Sequence, residues 1–167
     1  DLTDIPADYL PRTNFVPGCD AATYATRTPK VPWNMKAKVT ECYRYVSSRQ
    51  LSQSGERTLQ AALIPPGVAH IGTAYSYTFR ESASMVAALG SWSSVPLDFF
   101  LKSTGAGDLT PHLAGRLAVT ASLAALQVRT CTLNCLTTHY AELWVECFDP
   151  YWRTDTWAKT DALLYPS

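Results

Sequence analysis

Cys131, Cys135 and His139 stand at i, i+4 and i+8, and His70 follows the stretch "IPPG" at 64–67. The first set invites a metal reading. Three groups spread over two helical turns, however, span about 12 Å at a rise of about 1.5 Å per residue, too far to converge on one ion. Small packing residues account for them better. The five cysteines, Cys19, Cys42, Cys131, Cys135 and Cys147, are odd in number and widely spaced. No secretion signal accompanies them, which predicts reduced thiols in a cytoplasmic protein. "GAG" at 105–107 is too short, and lacks the preceding strand, to cradle a phosphate. No serine nucleophile elbow occurs. The carboxylates Asp98, Asp108, Glu142, Glu146 and Asp149 form no close acidic constellation. "IPPG" lacks the acidic or amide residue that would grip a reactive amino group. His70, His112 and His139 have no evident partner and read as surface or satisfied core residues. The chain itself is therefore expected to be non-catalytic.

The elements that would hold any surface in place come next. With 167 residues, 47% of them hydrophobic and 17% charged, the chain is sized for one domain with a real core. A net charge of zero favours neither nucleic acid nor membrane, and no apolar run approaches the roughly 18 residues of a spanning helix. The start at Asp1, inside a Pro-rich loop, reads as part of a longer protein. Residues 1–34, with prolines at 6, 11, 17, 29 and 32, are expected to be an irregular arm. Residues 35–167 would form the domain proper.

A helix is expected over 39–53, with Thr40 as N-cap and Gly55 as stop. Strands follow over 58–64 and 70–79, paired as a hairpin through Pro65-Pro66-Gly67. A helix starts near Ser82, breaks near Pro96 and stops at Gly105. Residues 105–120 are a loop into an extended segment, and 122–148 a single long helix. The fold class expected is α+β: a small, mainly antiparallel sheet with helices on one side and the arm around it. Lys36, Lys38, Arg44 and Arg49, followed by Arg57, make this the most basic region. A solvated face and phosphate contact both explain such a run.

Three segments, "GERTLQAALIPPGVAH" (55–70), "LGSWSSVPLDFFLKSTGAGDLTPHLAGRLAV" (89–119) and "LNCLTTHYAELW" (133–144), carry a resemblance. Together they are similar to the C-terminal target recognition region of adenine-specific DNA methyltransferases in restriction–modification and phage-defence systems, the TaqI-like specificity domain. "YLPRTNFVP" and "RTPKVPW" fit the same group. Arg57-Thr58 matches the family's strand-opening pair. Ser93-Ser94 stands where Asn-Ser is usual, and Ala118 where proline is common. The resemblance implies a parent enzyme whose N-terminal methyltransferase domain binds S-adenosylmethionine and flips adenine into an Asn-Pro-Pro-Tyr pocket, with or without endonuclease activity. This chain, holding no cofactor, would read double-stranded DNA.

On that reading Lys102, Ser103 and Thr104 offer hydrogen-bonding groups, and Gly105 and Gly107 allow close backbone approach. Arg57 either reaches a guanine edge or pairs with Glu56 or a core carboxylate. Arg44 and Arg49 are candidates for backbone phosphates, and His70, Tyr75 and Tyr77 for contacts if the hairpin faces DNA. The rival expectation is an aromatic-rich module that docks a partner subunit or neighbouring domain, with Trp152 and Trp157 exposed.

Overall fold

The computed structural model describes residues 4–10, 14–121 and 123–156. Part of "YLPRTNFVP", Ser122 at the head of the long-helix expectation, and Trp157 with the rest of the tail lie outside the described residues. The elements are α1 (Ala21–Arg27), β1 (Lys30–Val31), β2 (Asn34–Lys38), β3 (Arg44–Ser48), β4 (Ala61–Ile64), β5 (Ala74–Tyr77), α2 (Ser82–Trp92), α3 (Val95–Thr104), α4 (Pro111–Ala114), α5 (Ala124–Asn134) and α6 (Ala141–Cys147). The fold is α+β, with a two-stranded ribbon β1-β2 and an antiparallel sheet in the order β4-β3-β5. Among the described residues no helix is long and apolar enough to cross a membrane.

Four secondary-structure expectations need correction. The arm is not irregular throughout. Between Pro17 and Pro29 nothing removes a backbone donor, and Asp20 caps α1 by accepting from Thr23 N at 2.9 Å and Thr23 Oγ1 at 2.8 Å. These bonds hold the Asp20 carboxyl below its ordinary range. The helix ends at Arg27, before Pro29 can disrupt it.

Residues 39–53 are not a helix. After a short 3-10 turn at Val39–Glu41 the chain becomes β3, the central strand. Tyr43, Tyr45 and Val46 are residues that suit a pleated surface. Tyr45 and Ser47 alternate onto the helix-facing side, Tyr45 against Trp92. The same apolar residues satisfy a helical count; pairing with strands on both sides decides between the two.

β4 and β5 form no hairpin. β3 separates them, pairing Tyr45 with Leu63 on one side and with Tyr77 on the other. The Pro-Pro-Gly turn instead feeds a longer crossing segment. Gly67 takes a left-handed φ of 84° there, and its N–H donates to Thr40 O at 2.8 Å.

The expected long helix over 122–148 is two. Asn134 Nδ2 turns back onto Thr130 O at 2.9 Å, and Cys135 leaves helical geometry. Thr138 N donates to Ala7 O at 2.8 Å, and the His139 ring meets Asp8 O at 2.9 Å. The arm thus takes up polar groups at the break. The expected break near Pro96 and stop at Gly105 do occur: α2 ends at Trp92, Pro96 sits in the first turn of α3, and Gly105 closes it at φ 66°.

The core lies where α2 packs on β3 and β4 and crosses α5. Tyr45, Met85, Val86, Leu89, Leu101, Leu109 and Leu143 are all but inaccessible there. Tyr45, Tyr77 and Trp92 form an aromatic triangle with ring separations of 5.1–5.8 Å. At Gly90 a Cβ would come within 2.4 Å of Thr130 Oγ1, so the α2–α5 crossing depends on that glycine. Trp152, expected on the surface, is buried and packs edge-on against Trp144 at 5.2 Å.

Candidate functional site

Two regions flank the sheet, one at each end of β3. Past Ser48 the chain continues as 49–52 and bridges the segment after α3: Leu51 N donates to Gly107 O at 2.9 Å, and Leu109 N to Arg49 O at 2.7 Å. Beside this bridge opens a polar groove of about 820 Å³, lined by Ser48, Gln50, Ser52, Gln60, Thr73 and Asp108 among others.

The groove is firmly built. Asp98, buried, accepts from Thr58 N and Leu59 N at 2.9 Å each. Lys102 Nζ donates to Gly55 O at 2.9 Å, and Arg57 to Ser93 O at 2.7 Å. Gln53 Nε2 reaches Ala106 O at 2.7 Å. The groups expected to read bases are therefore engaged in holding two loops together. Ser103 and Thr104 hydroxyls donate to the α3 carbonyls of Phe100 and Leu101. Arg57 pairs with neither Glu56 nor a core carboxylate but with a carbonyl. Arg49 meets Asp108 at 3.5 Å, both about half exposed. The groove is close to neutral, with hydrogen-bonding walls.

At the opposite end Arg44 enters β3. Its side chain is 2% exposed and donates to Val68 O. Its Nε finds no partner among the described residues, and no described carboxylate pairs with it. Burial pushes its pKa below the ordinary range. Arg44 lines a recess of about 320 Å³ together with Tyr24, Arg27, Val39, His70 and Ser76. The His70 ring lies 3.1 Å from Ile71 O and 2.8 Å from Ser76 Oγ. A carbonyl only accepts, so Nδ1 carries a proton and donates to Ile71 O, while Nε2 and the serine hydroxyl share the second hydrogen bond. Tyr77 belongs to the aromatic triangle, and burial raises its phenol. Tyr75 shares its face, opposite Ser47.

Beside the recess lies a cationic surface whose extent the sequence reading missed. Arg27, Lys30, Lys36 and Lys38 fall within twelve residues that contain no carboxylate. The ribbon register sets Lys30 opposite Lys38, a like-charge pair that a protein surface does not favour unaided. Trp33 and Met35, between the lysines, are 42% and 64% exposed. The signal was in the sequence: a cation run without acids that crosses the boundary between the expected arm and the domain at residue 35.

The structure thus divides the expected residues. Arg49 touches the groove only through its wall residue Asp108. Arg57, Lys102, Ser103 and Thr104 are bonded to carbonyls of neighbouring loops and of α3, and neither they nor Gly105 line it. Arg44 and His70 line the recess; Tyr75 and Tyr77 lie on β5. Among the described residues no group of acids, histidines and cysteines is placed to hold a metal. Cys131 is buried, and its hydrogen bond with Cys135, together with burial, pushes its thiol upward, away from a reactive thiolate. No known family model, curated protein or solved structure matches the chain.

Proposed function

We propose that the chain is a double-stranded DNA recognition domain belonging to a larger S-adenosylmethionine-dependent adenine methyltransferase, and that it engages DNA through the β1-β2 ribbon. One observation carries the reading: an acid-free, two-stranded ribbon bears Lys30, Lys36 and Lys38 beside Arg27, with Trp33 and Met35 exposed among them. Lysines at this density supply the phosphate contacts that dominate affinity. A two-stranded ribbon is narrow enough for a major groove about 12 Å wide. Exposed apolar side chains flanked by cations suit insertion or stacking against bases. The order of the "GERT", "LDFFLKSTGAGDL" and "LNCLTTHYAELW" segments supports the assignment to the methyltransferase recognition family. The neutral groove would then face the base edges or the missing methyltransferase domain. Fluorescence anisotropy with a labelled duplex tests this. Binding that weakens steeply as salt rises supports the reading; binding indifferent to salt, or none, refutes it.

A docking module is the second reading, favoured by α3. Val95 and Phe99, one turn apart on one face, are 70% and 72% exposed. A partner subunit covering that face would bind through apolar contact and respond little to salt.

A further inference from the structure

We propose that the recess around Arg44 is a binding site for a small organic oxyanion, a carboxylate or phosphomonoester carried on an apolar body, adjacent to the lysine ribbon that would hold DNA and sharing Arg27 with it. Arg44 is the reason. A guanidinium this buried is ordinarily paired with an acid or fully hydrogen-bonded, because an uncompensated buried charge is costly. Here one terminal nitrogen reaches Val68 O, Nε has no partner among the described residues, and no described carboxylate approaches. The guanidinium fork matches an oxyanion in geometry and charge.

The walls indicate the remainder of the ligand. Arg27, on the last turn of α1, adds a second cation to the lining, while Tyr24, Pro29 and Val39 give apolar surface. A volume of about 320 Å³ lies at the small end of ligand pockets. It suits a compact aromatic or branched aliphatic acid. Duplex phosphates, which lie on a broad cylinder, suit the exposed ribbon lysines better than Arg44, which is 2% exposed and lines a recess of about 320 Å³.

Calorimetric titration of the full chain with benzoate, phenyl phosphate and inorganic phosphate tests the site. Saturable binding of benzoate or phenyl phosphate is expected, with inorganic phosphate at least about tenfold weaker for want of apolar contact. Arg44→Met should abolish binding while folding as well as the parent, since it removes a buried charge at similar volume. Arg27→Ala, at an exposed position, should weaken binding about tenfold. Neither probe binding, or binding retained in Arg44→Met, would overturn the site. Equal affinity for all three anions would overturn its apolar half. A fall in duplex DNA affinity caused by Arg44→Met would reassign Arg44 to backbone phosphate and overturn its role as a small-anion site.

Discussion

Arg44 opens β3 and Arg49 follows directly after its last residue, and the fold treats them in opposite ways. Arg49 is half exposed and faces Asp108 of the groove wall at 3.5 Å, and the nearby cations Lys102 and Arg57, outside the groove lining, are occupied with backbone carbonyls. Arg44 is buried with no described acid to balance it, next to a ribbon of lysines that also lacks acids. Residue type alone therefore says little about which arginine meets an anion. An arginine with a local partner is part of the scaffold. One left without an acid, in a region of like charge, marks where an external anion is wanted.

The largest effect should come from breaking the scaffold on the groove side. Asp98→Ala leaves the buried N–H groups of Thr58 and Leu59 without their shared acceptor, and should cost about 2–5 kcal/mol by urea denaturation. A loss under about 1 kcal/mol would mean the loop is not held by Asp98. At the other end, Arg44→Met in the absence of any anion should stabilise the fold by about 1–3 kcal/mol, because an unbalanced buried charge is removed. Strong destabilisation would instead show that the bond to Val68 O is a needed anchor.

A pH titration separates either arginine from the core. Burial pushes the Tyr140 phenol up to about 12, with Cys135 and Tyr43 adding, from an ordinary value of 10.0. The unfolded chain thus loses this proton first. The contribution of Tyr140 to stability is intact below pH 10 and declines as pH rises from 10 toward 12. Tyr140→Phe should flatten that part of the decline, while losing the 2.9 Å bond to Leu63 O at neutral pH. An unchanged alkaline profile in the variant would remove Tyr140 as its source. Arg49→Met should matter least, within about 0.5 kcal/mol in the same denaturation experiment, since half-exposed ion pairs contribute little. A larger loss would make the pair a structural clamp on the bridge between 49–51 and 107–109.

The same contrast explains what was legible in the sequence. β4, α2, the break before Pro96 and the Gly105 stop were readable because their signals are local: an apolar run, a helical stripe, a proline, a glycine. β3 was not, because "YRYV" fits either period and only its neighbours β4 and β5 fix it as a strand. The break at Cys135 depends on the arm arriving from residues 7 and 8, far away in sequence. The site divides likewise. Basic residues were visible as types, but the burial of Arg44 depends on distant segments, Val68 O accepting from its side chain and α1 lining the recess. Lys36 and Lys38 were legible as part of the basic region, but Arg27 and Lys30 were not joined to them, because residues 1–34 were expected to be an irregular arm.

The central claim is that the ribbon, not the groove, meets the phosphates of DNA. The direct measurement is duplex affinity over a range of salt concentrations for the parent chain and for the double variant Lys36→Ala/Lys38→Ala. Each lysine that contacts a phosphate should contribute about 0.9 to the slope of log affinity against log salt, so the double variant should be shallower by about 2. An unchanged slope in that variant, or a parent chain with no slope at all, would contradict it.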